Sequence, residues 1–427
     1  MKKLLPKGWV ETELGDVLDI EMGQSPPSYS YNMEGIGTPF MQGKTEFGKT
    51  FPTIKKYTTE PKKIVEKGTV LLSVRAPIGP TNIANTQMCI GRGLAGLSSN
   101  KIPTNFILYY LRSIESVLDG LGTGTTFKAI SANKIHTVHF PLPPLPEQER
   151  IVAKLDKLFA QHEKIKKALD RIPQLLKAFR QQVLTQAVTG KLTEQWREGK
   201  DLEWRIEKVR DVTNYNPRYS WDDQTCLSFV EMANLPIRLF SPLKSIKRKF
   251  IDVKKGYRRF SNSDVLLAKI TPCFENGKSA VADGLLNGIG CGSSEYYVFR
   301  CKEGLLPYFL LFHFKRTVFL VEGADNMNGA VGQQRVTQEF VLNYEISIPP
   351  PQEQQEIVHR VESLFTKADA IEARYKILKA KIDSLPQAIL HKAFKGELVP
   401  QLPTDGDAKD LLDEILALKK EVKEKKK

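Results

Sequence analysis

Residues 146–192 read PEQERIVAKLDKLFAQHEKIKKALDRIPQLLKAFRQQVLTQAVTGKL, and the reading of this stretch decides the fold. Its apolar residues fall at Ile151, Leu155, Leu158, Ile165, Leu169, Ile172, Leu176, Phe179, Val183 and Ala187, with His162 the one polar member of the series. From Ile151 to Val183 the steps alternate four and three, the a/d heptad of a long helix packing along one seam. A second copy lies 206 residues on: Ile357, Val361, Leu364, Ala368, Ile371, Tyr375, Leu378, Ile382, Leu385, Ile389 and Ala393. Both copies follow a proline cluster, at 141–146 and 349–351, and both end at a glycine, Gly190 or Gly396, placed as a C-cap. Between 147–192 and 353–398, 12 of 46 positions are identical, so the chain is a duplication with this helix as its joint. The shared heptad predicts an antiparallel pair of coiled-coil helices, each ~60 Å long at 1.5 Å per residue, related by a pseudo-two-fold internal repeat. Pro173 and Pro386 predict kinks.

The chain has 427 residues, room for two or three domains with proper cores. A net charge of +14 points to a polyanionic partner, most often nucleic acid. Cys89, Cys226, Cys273, Cys291 and Cys301 form no CxxC and read as reduced thiols, which places the protein in the cytoplasm. MKKLLPKGWVETE lacks the apolar run of a signal peptide. The most apolar window, 305–321, carries His313, Lys315 and Arg316, so it predicts a buried element and no membrane span.

Taken in order, the sequence predicts a mixed α/β domain over 1–145, the first long helix over 146–192 and a polar connector over 193–204. A second domain over 205–348, the second long helix over 349–398 and a tail over 399–427 follow, the tail with a short amphipathic helix at 410–418. The second domain restates the first: DVLLAKI at 264–270 echoes the buried strand TVLLSV at 69–74. Residues 308–315 echo the helical spacing of 106–113, and Asn328-Gly329 with 333–336 echoes the loop at 124–130.

The search for catalytic motifs returns decoys. Gly43 to Thr50 matches GxxxxGK[ST], yet Phe51-Pro52 and a basic run follow where a phosphate loop needs a helix, so a basic hairpin is expected. Asn216-Pro217-Arg218-Tyr219 resembles the NPPY loop of adenine methyltransferases with arginine for the second proline, and reads as a turn. His136 and His139 lie on a strand-like run that would face them to opposite sides, which argues against a metal site.

Basic and polar loop residues carry the remaining chemistry. In the first domain Gln24, Ser25, Gln42, Lys44, Lys49, Arg75, Arg92, Thr123, Thr125 and Lys128 are the candidate DNA contacts. In the second they are Lys247, Arg248, Lys254, Lys255, Arg258, Arg259, Lys269, Asn276, Lys278, Asn328, Gln333, Gln334 and Arg335. Lysine and arginine neutralise phosphates, while Gln, Asn and Arg read base edges. The plainer alternative is a solvated basic face on a coiled-coil adaptor that binds no specific DNA.

The pieces PLPPLPEQERIVAKLDKLF, QAVTGKLTEQWREG, IPPPQEQQEIVHRVESLF, HKAFKGELVPQ and DAKDLLDEI together resemble the specificity subunit of type I restriction–modification systems. The resemblance runs over essentially the whole chain. It implies two target-recognition domains, each reading half of a bipartite site in double-stranded DNA, and helices that set the gap and dock two methyltransferase subunits. It also implies that adenine-N6 methylation with S-adenosylmethionine belongs to those subunits, that ATP-driven cleavage belongs to restriction subunits, and that this chain holds no cofactor.

Overall fold

A computed structural model describes residues 5–124, 128–330 and 332–425. The chain divides into two compact units, one formed by 1–169 with 378–427 and the other by 170–377. Each unit thus combines one globular region with a part of each long helix.

Both units share one plan. In the first, strands Asp19–Met22, Leu94–Ser98, Val70–Ser73 and Thr81–Ile83 lie side by side in that order, with antiparallel pairing throughout. In the second, Thr213–Tyr215, Tyr296–Cys301, Asp264–Ala268 and Ser279–Val281 repeat the order and the sense. The third strand of each sheet explains the apolar runs in the sequence. Successive strand residues face opposite sides, and here both sides are buried. Val70 and Leu72 enter one core while Leu71 enters another. Val265 and Leu267 likewise face away from Leu266 and Ala268.

The proline–glutamate–glutamine signature has a physical cause at each helix start. Gln148 Nε2 donates to Pro143 O at 2.8 Å, and Gln354 Nε2 donates to Pro349 O at 2.8 Å. Glu147 is buried and accepts from Trp9 Nε1 at 2.9 Å. The buried Glu353 accepts from Thr193 Oγ1 at 2.7 Å, Arg197 Nη1 at 2.9 Å and Trp204 Nε1 at 3.0 Å. A carboxylate in the first helical turn also suits the positive end of the helix dipole.

The two helices run antiparallel within each unit. In the first unit helix Leu145–Asp170 meets the later part of helix Pro351–Ala393, and His162 Nε2 lies 2.8 Å from Ile382 O. Pro386 has no N–H to offer the carbonyl four residues back, so His162, the polar residue in the heptad, supplies that donor. A carbonyl only accepts, which fixes the proton on Nε2. In the second unit Arg180 of helix Ile172–Val188 pairs with Asp369 at 2.5 Å and Glu372 at 2.9 Å. Pro173 sits in the first turn of its helix, separated from the preceding helix by Arg171 alone, while Pro386 lies inside a continuous one. Gly190 and Gly396 take positive φ, 75° and 72°, as the C-cap reading requires.

The expected seam is buried only in part. Ile151, Leu155, Leu176, Val183, Ile357, Val361 and Ile389 are buried, and Leu158, Leu169, Leu364 and Ile382 are half-buried. Ile165, Ile371 and Leu378 are exposed. All the buried members except Leu176 lie where the helices pack on the globular cores; elsewhere a helix pair alone covers too narrow a stripe. The tail also differs from expectation. Its helix runs Ala408–Lys425, with Ala408 and Ile415 in the first core, and Arg150 grips Asp405 through two bonds of 2.7 and 2.6 Å.

Candidate nucleic-acid interface

In the first unit five loop segments are laced together by backbone hydrogen bonds. Gly23 N donates to Leu94 O and Gln24 N to Ile90 O, both at 2.9 Å, while Arg92 N reaches Ser25 Oγ at 3.3 Å. Gly93 N donates to Gln42 O at 3.2 Å, and Val74 N to Gly93 O at 2.9 Å. Ala76 N donates to Lys128 O at 3.1 Å, and Ile130 N to Val74 O at 3.0 Å. Gln24, Ser25, Gln42, Lys44, Arg75, Arg92, Thr123 and Lys128 therefore share one loop cluster. Gly23 permits the approach, because a Cβ there would collide with Gly91 O. Gln24, Gln42, Lys44, Arg75, Arg92 and Thr123 are exposed. Lys128 is tied to Asp119 at 2.6 Å.

Other expectations for this unit need revision. Gly43–Thr50 is not a hairpin: a 3-10 turn at Lys44–Glu46 leads into irregular chain through residue 56. Lys49 pairs with Glu163 of the long helix, and Arg112 Nη2 bonds its carbonyl at 2.9 Å, away from the cluster. His136 ends helix Ala132–His136 rather than lying on a strand, and His139 Nδ1 faces Glu11 at 3.4 Å. Thr125 lies outside the described residues.

The second unit rebuilds the same frame. Lys269 N donates to Glu295 O at 3.0 Å, Thr271 N to Gln334 O at 2.9 Å and Val336 N to Lys269 O at 2.9 Å. Asn216 N, like Gly23 N, bonds the neighbouring strand, at Val298 O and 2.7 Å. Lys269, Asn328, Gln333, Gln334 and Arg335 come together here. At their centre stands Glu295, a residue that sequence reasoning missed. Arg335 Nε and Nη2 bond its two oxygens at 2.9 and 3.0 Å, and Lys269 Nζ lies 3.8 Å away. The Arg335 bonds, with the charges of Lys269 and Arg258, hold the Glu295 carboxyl below its ordinary range. Burial pulls the Lys269 ammonium down in turn, and its Nζ lies 5.3 Å from the Tyr297 ring centre. Asn216 to Tyr219 and Tyr257 to Arg259 line an adjoining cavity of about 330 Å³. The turn read at Asn216 is thus part of the site; its φ of 45° is one that asparagine tolerates well.

The basic run at 247–259 does not form one patch. Ile246–Lys249 and Arg258–Ser261 are the opposite edges of a sheet whose inner strands are Cys226–Val230 and Ile289–Gly292. The short helix Phe250–Val253, with Phe250 and Val253 buried, turns the chain away between them. Lys247, Arg248 and Lys255 are exposed, whereas Lys254 pairs with Asp223 at 2.8 Å. Arg259 is structural: its guanidinium lies 4.9 Å from the Phe250 ring centre and bonds Lys254 O at 3.0 Å. Lys278 Nζ anchors Met232 O at 2.7 Å. Asn276 lines a separate cleft of about 580 Å³ with Arg180, Arg238 and Lys315.

Among the described residues no group of three or more His, Cys, Asp or Glu is placed to hold a metal, and no helix is long and apolar enough to cross a membrane. Comparison with known proteins bears on the fold and on the repeat together. The chain is 46% identical over 183 residues to a putative type I restriction enzyme MjaX specificity subunit of Methanocaldococcus jannaschii, covering 40% of this chain and 43% of that protein. It thus spans less than half of that relative's length. Against the Escherichia coli EcoDI specificity subunit it is 26% identical, covering 93% of this chain and 90% of the relative. The solved HsdS subunit from Thermoanaerobacter tengcongensis superposes with a TM-score of 0.63 at 20% identity, over 93% of this chain and 99% of that one, which is a likeness of fold. The model of the type I restriction modification DNA specificity domain matches twice, over residues 6–174 and 203–380, and the chain belongs to that family.

Proposed function

We propose that this chain is the non-catalytic DNA-reading component of a type I restriction–modification assembly, with each unit reading one half of a bipartite duplex site. The observation that carries the reading is the duplicated loop cluster: one backbone frame, built twice, bearing different polar and cationic side chains. A frame held by main-chain hydrogen bonds tolerates such exchange, and unlike side chains on equal frames suit two unlike half-sites. The seam helices set the gap between the half-sites and dock methyltransferase subunits. Ile165 and Leu378 in one unit, and Leu175, Phe179 and Ile371 in the other, are exposed apolar side chains available to partner helices. S-adenosylmethionine and ATP belong to the methyltransferase and restriction subunits in this reading.

The test is co-expression with methyltransferase subunits and sequencing of the methylated adenines. A bipartite motif should emerge, and exchange of residues 205–345 for those of a relative should change one half-site alone. Simultaneous change of both half-sites, or no motif at all, would refute the two-reader model.

A further inference from the structure

The two loop clusters share a bridge across which an arginine changes sides. Arg75 is bridged antiparallel to Ala129, and Ala129 in turn to Thr123. In the other unit Ile270 is bridged to Arg335, and Arg335 to Asn328. Ala76 N to Lys128 O and Ile130 N to Val74 O flank the first bridge, as Thr271 N to Gln334 O and Val336 N to Lys269 O flank the second. Both are therefore the pair type without mutual hydrogen bonds, in which opposed side chains stand close together on one face. Each unit thus displays a row of three on equivalent backbone: Arg75, Ala129 and Thr123 in one, Ile270, Arg335 and Asn328 in the other. The arginine has moved from one side of the bridge to the other, but each row holds one arginine and one short polar side chain.

We propose, resting on the DNA-reading function above, that these rows read base edges and that the row arginine selects a guanine in each half-site. Arg335 is built for it. Of its five N–H donors, Nε and one on Nη2 bind Glu295, and one on Nη1 binds Gln333 O at 2.9 Å. Two remain, one on each terminal nitrogen, the number that a bidentate pair with guanine O6 and N7 takes. Glu295 is a positioning residue that holds the guanidinium plane, while the side chain keeps 43% of its exposure. Asn328 beside it carries the amide that pairs with adenine. Arg75 is exposed and forms no ion pair among the described residues, so its fork is free. Lys128, Lys254 and Lys278, by contrast, are spent on the protein itself.

The experiment selects bound duplexes from a library with a randomised core, using the full chain, and repeats the selection with Arg335→Lys, Arg75→Lys and Glu295→Gln. Lysine keeps the charge but not the fork. Arg335→Lys is expected to lower guanine preference at one position of one half-site by about tenfold, with the salt dependence of binding unchanged. Arg75→Lys should do the same in the other half-site only. Glu295→Gln should weaken the Arg335 position without abolishing it. Retention of both guanines in the lysine variants overturns the assignment, as does a uniform loss across all positions, the mark of a phosphate contact. A wild-type chain that selects no motif overturns the DNA-reading function itself, and a wild-type motif without guanine overturns this inference alone.

Discussion

Replacing His162 by leucine puts an apolar residue into an apolar heptad, and helix-pattern reasoning alone expects a gain. The structure expects a loss. Ile382 O has no helical donor because residue 386 is proline, and His162 Nε2 meets it at 2.8 Å. An orphaned buried carbonyl costs about 1–3 kcal/mol, and Ile382 is half-buried, so about 1–2 kcal/mol is expected. Leucine recovers part of this through added apolar contact, which obscures the single substitution. A double-mutant cycle with Pro386→Ala removes the difficulty, because alanine returns an N–H to the same carbonyl. In the Pro386→Ala background the histidine bond is redundant, and His162→Leu becomes neutral or stabilising. Urea unfolding of the four proteins, followed by circular dichroism, should therefore give a coupling of about 1 kcal/mol or more. Additivity within about 0.3 kcal/mol would refute the link between the proline and the histidine.

Glu353→Ala removes the acceptor for Thr193, Arg197 and Trp204 at once and should cost about 3–5 kcal/mol in urea unfolding, as the loss of one partner from a buried ionic group does. Glu353→Gln, with one acceptor oxygen for three donors on two sides, should fall between it and wild type. His313 is buried in the second unit, and burial, aided by the Arg316 charge, lowers its pKa to about 3. The unfolded chain then takes up a proton near pH 6.5 that the fold refuses, so thermal stability should fall as pH drops from about 6.5 towards 3, and His313→Leu should flatten that limb. Arg248→Ala, on the fully exposed strand Ile246–Lys249, should weaken duplex binding evenly across sequences and reduce the log–log salt slope by about one.

The duplication and the long helices were legible because each writes a period into the sequence, and the buried strands because each writes an unbroken apolar run. The limits are equally physical. A heptad marks which residues share a stripe, not whether anything covers it, and Ile165, Ile371 and Leu378 stay exposed on the same stripe as Ile151 and Ile357. The candidate contacts were chosen by charge and side-chain type, which does not register prior engagement. Lys49 with Glu163, Lys254 with Asp223 and Arg259 over Phe250 were indistinguishable in sequence from Lys44, Lys255 and Arg75. Glu295 escaped notice for the converse reason: a lone acid among serines and tyrosines looks incidental until the fold brings Arg335 to it across 40 residues.

The strands at Val70–Ser73 and Asp264–Ala268 are gripped on both faces, each by two separate cores. A slip of one residue would exchange the occupants of the two cores at once, so these strands are locked in register as firmly as any part of the molecule. One member of each bridged pair, Arg75 or Ile270, sits on the segment that leaves the strand, and the pair is held by main-chain bonds that no side chain supplies. On the proposed function, folding information and reading information therefore occupy different atoms a few residues apart. Side chains can be rewritten at Arg75, Thr123, Asn328 or Arg335 without disturbing the bar that presents them, which, if the proposed function holds, makes these units hosts for grafted DNA specificities.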